Sequence, residues 1–104
     1  MEEIKILLCC GAGMSSGLLA QKSRKSARKR NIAVSIEARS ESEAPQYLSS
    51  IDILLLGPHY ENYREQLQNQ ADVFNVPVRV IPKEIYGMID GDKLIDFAIE
   101  NLNR

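Results

Sequence analysis

The sequence is short of the residues that build metal sites and disulfide frameworks. It contains one histidine and two cysteines, the adjacent Cys9 and Cys10, in 104 residues. Neighbouring residues of a strand point to opposite faces, so these two thiols are badly placed to bridge each other. With one histidine and no CxxC spacing, we expect no metal site. The thiols therefore serve either packing or chemistry.

Long apolar runs are also absent. No run approaches the roughly 18 residues of a membrane span, and the first residues, MEEIKI, carry acid where a signal peptide carries base. We therefore expect a cytoplasmic protein without direct membrane insertion. The length of 104 residues, with no repeat, low-complexity tract or linker, predicts a single domain over residues 1–104.

Charge is unevenly distributed, although the net charge is only −1. Residues 1–39 hold eight Lys/Arg against three Asp/Glu, whereas residues 40–104 hold five against eleven. Most of the basic excess lies in KSRKSARKR, residues 22–30. Because no aromatic residue interrupts this segment, we interpret it as the solvated outer face of one helix and expect no nucleic acid partner. A protein partner with an acidic surface stays open.

Apolar runs and the segments between them alternate in a way that indicates strands and helices. The four runs that suit buried strands are IKILLC at 4–9, IAVSIEA at 32–38, IDILLLG at 51–57 and VPVRVI at 76–81. This alternation predicts an α/β fold, in which a parallel sheet carries helices on both faces. In open parallel sheets, sites lie at the carboxyl ends of the strands. The candidate loops therefore begin at Ala38, Cys10, Gly57 and Pro82.

Helices are predicted between and after these strands. The first runs from near Ser15 to Arg30 or Asn31, a short turn is expected in SEAPQYLS, and a fuller helix in YENYREQLQNQA. The last helix lies in DGDKLIDFAIENL, with Asp90 or Asp92 as its N-cap. Its buried face is expected to comprise Leu94, Ile95, Ala98, Ile99 and Leu102.

The segment CCGAGMSSG, after the first strand, has the composition of an anion site. Glycines let the backbone turn with its N–H groups pointing inward, and a helix start adds free donors and partial positive charge. Cys10 at the end of the strand is expected to react as the thiolate, which the same charge stabilises. Ser15 and Ser16 are expected to cap the helix or donate to an oxyanion.

Three interpretations compete for this loop, and the second of them leads to a fourth, a phosphoryl carrier. A dinucleotide fingerprint is a poor match, since Gly11, Gly13 and Gly17 depart from GxGxxG spacing even with Glu37 as a ribose partner. A cysteine-dependent phosphatase, or a similar arsenate reductase, needs an arginine where this chain has Ser16. A purely structural cysteine suits Cys9, because free cysteines are usually buried. A loop that holds a phosphoryl group on sulfur without hydrolysing it suits a carrier.

The motifs resemble those of a known family, the IIB subunits of the lactose/cellobiose type in the bacterial phosphoenolpyruvate-dependent sugar phosphotransferase system. LLCCGAGMSSGLLA is similar to that family's cysteine loop, ILLLGPH to its third strand and turn, and IYGMIDGDKLI to its closing segment. The likeness spans essentially the whole chain. The family commonly has an aromatic or aliphatic residue where this chain has Cys9.

The resemblance implies a four-stranded parallel sheet in the order 2-1-3-4, a topology like that of low-molecular-weight phosphatases. It also implies a phosphocysteine on Cys10, no cofactor, and a monomeric subunit. The phosphoryl group would arrive from a phosphohistidine on the IIA protein and leave to a sugar, such as a β-linked disaccharide, held by the membrane permease IIC. The loop implied to wrap the phosphate comprises Gly11, Ala12, Gly13, Met14, Ser15, Ser16 and Gly17.

Two further residues are candidates for the edge of the site. His59 follows the third predicted strand and belongs to the same edge of the sheet as Cys10, where it contacts a partner or the phosphoryl group; a surface turn residue is the alternative. Tyr86, with Gly87 and Met88, matches the closing segment of the family and is expected to hold the last crossover beside that edge. Core packing is the alternative for Tyr86.

Overall fold

Four parallel strands form one sheet in the computed structural model, which describes residues 3–9 and 14–102 and, for 14–16, the backbone alone. The strand order is β2-β1-β3-β4, and every neighbouring pair is parallel. The strands are β1 Ile4–Cys9, β2 Val34–Arg39, β3 Ile53–Leu56 and β4 Val78–Val80. The predicted fold class and strand order are confirmed.

The first strand has the predicted bounds, whereas β2, β3 and β4 each start two residues later than predicted. The causes for β2 and β4 are visible in the backbone hydrogen bonds. Before β2, Asn31 adopts a left-handed φ of 56°, and the Ile32 N–H donates to the Ala27 carbonyl, so Ile32 belongs to the end of the preceding helix. Before β4, the Val76 N–H donates to the Ala71 carbonyl. The next residue, Pro77, has no N–H for the ladder. Local hydrogen bonds therefore shorten both strands.

In the described residues, four α-helices and three 3-10 helices connect and flank the strands. The α-helices are α1 Met14–Lys29, α2 Arg64–Ala71, α3 Lys83–Met88 and α4 Gly91–Glu100. The 3-10 helices are Ala44–Ser50, Pro58–Tyr63 and Asp72–Phe74. The expectation of one continuous helix in YENYREQLQNQA is wrong, because a 3-10 turn ends at Tyr63 and α2 begins at Arg64. The sequence did not indicate α3, which is six residues long and too short for a periodic pattern.

The capping prediction for the last helix is confirmed at Asp90, whose carboxylate accepts the Lys93 N–H at 3.1 Å. Its predicted buried face is confirmed at Leu94, Ile95 and Ala98, and Leu102 packs against the same core. The prediction that Ile99 is buried is wrong, because its side chain is 40% exposed. It lies at the margin of the arc that Leu94, Ile95 and Ala98 turn to the sheet, since successive helical residues are 100° apart.

The alternation of side chains along β1 divides the core into two clusters. Ile6 and Leu8 pack under α1 and α4, on what we call the α1–α4 face. Leu7 and Cys9 pack on the opposite side, the α2 face, beneath α2 and the 3-10 helix Ala44–Ser50. Because successive side chains of a strand point to opposite faces, β1 supplies apolar contacts to both layers of helices.

The α1–α4 face depends on a close approach between its two helices at Gly91. A Cβ placed on Gly91 would lie 2.6 Å from the carbonyl carbon and oxygen of Lys22 and 2.8 Å from the Ser23 nitrogen. One turn further along α1, the Ser26 hydroxyl donates to the Asp92 carboxylate. Arg30 forms an ion pair with Asp96 at 2.6 Å. A residue without a side chain at position 91 thus fixes the position of α1 against α4.

Candidate functional site

The candidate site lies where the carboxyl ends of the two central strands meet. The Gly57 N–H, just past β3, donates to the carbonyl of Cys9, the last residue of β1, at 2.8 Å. The connection that follows β1 leads to β2 on one side, and the one that follows β3 leads to β4 on the other. Adjacent connections that diverge in this way form the crevice where open α/β sheets bind ligands.

Cys9 is a packing residue, as the sequence indicates. Its side chain is fully buried on the α2 face, and its thiol donates to the Ser40 carbonyl at 3.8 Å. This contact links the end of β1 to Ser40, the residue that follows β2. Cys9 is therefore turned away from the α1–α4 face.

The loop that follows Cys9 contains most of the predicted phosphate-binding residues. Cys10, Gly11, Ala12 and Gly13 lie outside the described residues, and α1 begins at Met14. The expectation that Ser15 or Ser16 caps α1 is wrong, because both lie inside its first turn. A helix start leaves its first backbone N–H groups without partners in the helix. The start of α1 follows the end of β1 by five residues in the chain.

Gly17 is exposed in the next turn of α1, with no heavy atom within 4 Å of the position a Cβ would take. Leu18, beside it, is 42% exposed. Leu18 was not among the residues singled out from the sequence, whereas Met88, expected in the closing segment with Tyr86, is 76% exposed at the end of α3. Leu18 could have been found from the sequence as an apolar residue on the side of the predicted helix that faces away from the sheet.

The structure brings the two predicted edge residues together. The His59 and Tyr86 rings meet edge to face, with centroids 5.5 Å apart, and the Tyr60 ring lies 5.1 Å from His59 on the other side. His59 belongs to the 3-10 helix that starts directly after Gly57, so it stands beside the end of β1. Because His59 is exposed and Tyr86 is half-buried, the pair forms a wall at the surface of this edge.

Arginine side chains of the neighbouring strands and helices are held in other contacts. Arg39, which pairs with Cys9 in the sheet register, hydrogen-bonds to the Tyr47 hydroxyl at 3.0 Å. This bond, together with the charge of Glu37, raises the pKa of Arg39 above its ordinary value. Arg24 in α1 donates twice to the Ile36 carbonyl, at 2.9 and 2.6 Å. Both guanidiniums are thus held by acceptors within the protein.

Among residues 3–9 and 14–102, no group of three His, Cys, Asp or Glu side chains is arranged to hold a metal ion. No helix in the described residues has the length and hydropathy needed to span a bilayer.

The fold and the position of the site define an open parallel α/β protein whose candidate site lies at the carboxyl ends of the central strands. Residues 5–97 match the family described as "PTS system, Lactose/Cellobiose specific IIB subunit". The chain therefore belongs to this family, and it is a IIB phosphotransferase component of the phosphoenolpyruvate-dependent sugar phosphotransferase system.

Individual relatives agree with this assignment. The chain is 36% identical to the oligo-beta-mannoside-specific EIIB component of Bacillus subtilis (strain 168), over 91% of this chain and 92% of the relative. It is 36% identical to the galactose-specific EIIB component of Lactococcus lactis subsp. cremoris (strain MG1363), over 98% of both chains. The cellobiose-specific IIB component of Borrelia burgdorferi superposes with a TM-score of 0.80 at 32% identity, covering 98% of this chain and 94% of that one.

A fourth relative is longer than this chain. The lactose-specific EIICB component of Lacticaseibacillus casei is 26% identical over 97% of this chain, which corresponds to 18% of the relative. In that protein the IIB part is fused to a IIC part. IIB domains of this family thus work together with a IIC permease.

Proposed function

We propose that Cys10 carries the phosphoryl group in this IIB component and that residues 1–104 act as one domain in its transfer. The observation that carries the proposal is the position of Cys10, directly after the last residue of β1 and four residues before the start of α1. Cys9 is fully buried on the α2 face, and neighbouring residues of an extended strand point to opposite faces. This favours Cys10 over Cys9 as the reacting thiol.

The loop suits phosphoryl transfer between partners. The Cys10 thiolate attacks phosphorus of the IIA phosphohistidine, so that an S–P bond forms as the N–P bond breaks. A sugar hydroxyl on IIC then attacks phosphorus, the thiolate leaves, and the hydroxyl loses its proton. Backbone N–H groups of Gly11–Gly17 stabilise the equatorial oxygens, which is the main demand of this reaction. The site needs no cofactor for these steps.

Retention of the phosphoryl group is what distinguishes this function from the phosphatase alternative. Position 16 is serine, and Arg24 and Arg39 are held by the Ile36 carbonyl and the Tyr47 hydroxyl. Without a guanidinium over the phosphoryl oxygens, hydrolysis by water loses its electrostatic support. These contacts favour a carrier over a cysteine-dependent phosphatase or an arsenate reductase.

The edge beside the loop is where we place the partners. His59 and Tyr86 form the exposed wall described above, and both IIA and IIC must approach the phosphoryl group from this side. We propose that the chain acts in the cytoplasm as a monomer and serves a sugar of the β-linked disaccharide class. The relatives specific for oligo-beta-mannoside and for cellobiose support a β-linked sugar, whereas another relative is specific for galactose, a monosaccharide.

Intact-mass measurement tests the carrier directly. The chain is incubated with phosphoenolpyruvate, the general transfer proteins and IIA, and we expect one acid-labile phosphoryl adduct. Cys10→Ser is expected to lose the adduct, and Cys9→Ser to keep it. An adduct that survives Cys10→Ser, or free phosphate released in the absence of a sugar acceptor, contradicts the proposal.

The edge wall is tested by His59→Ala in the same system. We expect the phosphorylation rate to fall about tenfold with an unchanged end point, because the variant removes a contact surface and leaves the thiol intact. The matched control is Phe74→Ala, which removes a 48% exposed ring from the 3-10 helix that precedes β4, at the opposite edge of the sheet. Equal phosphorylation rates for the two variants would show that His59 is not part of the site.

A further inference from the structure

The proposed function does not account for the basic outer face of α1. Lys22, Lys25 and Lys29 recur at spacings of three and four residues and are all exposed, so they form one row along the helix. The exposed Leu18 lies one turn before Lys22 in the same row, and Arg28 is exposed beside Lys29. We name this row, from Leu18 to Lys29, the lysine face.

The charges of the lysine face are free for an external partner. Among the described residues, the ion pairs are those of Arg30 with Asp96 and of Arg39 with Glu37. The shallow cleft between α1 and α4 has Lys22, Lys25 and Lys29 along one side and Asp90 and Asp92 along the other.

Both of those carboxylates are held in contacts of their own. The Asp90 carboxylate accepts the Lys93 N–H at 3.1 Å, and the Asp92 carboxylate accepts the Ser26 hydroxyl. With Arg28, four cations therefore stand against two carboxylates that are already hydrogen-bonded. The local charge is positive although the whole chain carries −1.

We infer that the lysine face adsorbs to an anionic phospholipid bilayer surface. Lysine is a compact, hydrated charge on a flexible stem, which suits diffuse attraction to many headgroups, whereas arginine suits directed pairing. Arg24 in α1 and Arg30 just after it are used for such directed contacts inside the protein, and the lysines of α1 are left outside. The helix has no acidic residue and no aromatic residue with which to stack a nucleic acid base.

The geometry of α1 makes this surface useful. The helix has 16 residues, which corresponds to about 24 Å, and its first turn adjoins the loop that contains Cys10. A chain that lies with α1 along the bilayer keeps the site edge near the membrane surface and leaves it facing sideways, toward a permease in the same membrane. This benefit rests on the proposed function, whereas lipid binding itself does not require a phosphorylated cysteine.

Vesicle flotation tests the inference with the intact chain. We expect the chain to bind vesicles of phosphatidylglycerol and phosphatidylcholine in equal parts, to fail to bind pure phosphatidylcholine, and to dissociate as salt rises from about 0.1 M to about 1 M, because the Debye length shortens from about 10 Å to about 3 Å. Equal binding to both vesicle types, or no binding to the anionic vesicles, overturns the inference.

Paired variants locate the binding surface. Lys25→Gln with Lys29→Gln is expected to weaken vesicle binding roughly 25-fold, since each basic side chain at an anionic surface contributes about a factor of five. Lys83→Gln with Lys93→Gln makes the same change of charge at exposed positions on α3 and α4 and is expected to bind like the unchanged chain. Equal weakening by the two pairs overturns the inference.

Two further variants separate charge, folding and catalysis. Lys25→Arg with Lys29→Arg keeps the charge and is expected to keep vesicle binding, and circular dichroism confirms that each variant is folded. Cys10→Ser is expected to bind vesicles normally, so a failure of phosphoryl transfer is distinguishable from a failure of lipid binding. Binding to duplex DNA or to IIA that depends on Lys25 and Lys29, with no binding to anionic vesicles, also overturns the inference.

Discussion

The two faces of the sheet are covered by different kinds of helical layer. The α1–α4 face has helices of 16 and 10 residues in close contact, whereas the α2 face has an α-helix of 8 residues and a 3-10 helix of 7. The first layer is fixed by backbone approach at Gly91. The second is fixed by side-chain bonds such as that of Gln68, which accepts the Val78 N–H at 2.7 Å and donates to the Val76 carbonyl at 3.0 Å.

The difference matters for the site because Cys9 and the helix that follows it in the chain belong to different layers. Cys9 is enclosed in the α2 face, and the loop after it leads into α1 on the other face. A long helix in close contact with its neighbour gives the candidate phosphate-binding loop a fixed end.

The largest effects are expected when a core leucine is removed from each face in turn. Leu54 and Leu55 are consecutive on β3, fully buried, and point to the α2 face and the α1–α4 face respectively. We expect Leu55→Ala to lower the free energy of unfolding by about 4 kcal/mol and Leu54→Ala by about 3 kcal/mol, because short 3-10 segments collapse into a cavity more readily than closely packed helices. Urea unfolding measures both, and an equal or reversed order contradicts the comparison.

A somewhat smaller effect is expected at the contact between α1 and α4. Gly91→Ala would place a Cβ 2.6 Å from the Lys22 carbonyl, so the helices must separate, and we expect a loss of about 2 kcal/mol in the free energy of unfolding. The control is Gly87→Ala in α3, where no heavy atom lies within 4 Å of the new Cβ. That change is expected to be neutral or to stabilise by about 0.5 kcal/mol.

The same pair of variants tests the link between the α1–α4 face and the site. Below its unfolding temperature, Gly91→Ala is expected to slow phosphorylation of the chain by IIA, since it displaces the helix that leads from the loop. Gly87→Ala is expected to leave the rate unchanged. A normal rate for folded Gly91→Ala would show that the loop does not depend on this helix contact.

The smallest effect is expected at the cap of α4. Asp90→Ala removes the acceptor of the Lys93 N–H and is expected to lower the free energy of unfolding by about 1 kcal/mol, whereas Asp90→Ser is expected to retain most of the stability. The α2 helix has no side-chain bond at its N-cap, Tyr63. Thermal unfolding compares the variants. If Asp90→Ser loses as much stability as Asp90→Ala, the cap is not the cause of the loss.

Most of the fold was predictable because the strands are strongly apolar. The run IKILLC gave the bounds of β1 as the structure has them, and the helix before residue 30 and the cap at Asp90 were also expected. Errors occurred where local hydrogen bonds override a pattern. Proline at position 77 and the left-handed Asn31 shorten strands, and α3 is too short to show a period.

The candidate site was predictable in its parts but not in its arrangement. The glycine-rich loop, His59 and Tyr86 were each singled out from sequence. The rings of His59 and Tyr86 are in contact although the two residues are far apart in the chain. The hydrogen bond from Arg39 to Tyr47 depends on the rotamer of the arginine. The failed expectation for Ser15 and Ser16 shows the same limit, since a helix start is defined only to within a residue or two by its cap signals.

The sequence by itself determined the class of fold, the packing role of Cys9 and the position of the loop between β1 and α1, because strand period, apolar runs and glycine placement are local properties. Tertiary structure decided which side chains share an edge and which charges remain free. Whether a guanidinium is tied to a carbonyl, or an ammonium is left at the surface, depends on which elements pack together. The basic segment at residues 22–30 is the clearest case: as a sequence it is one run of charge, and in the fold its arginines largely turn to protein partners while its lysines face outward.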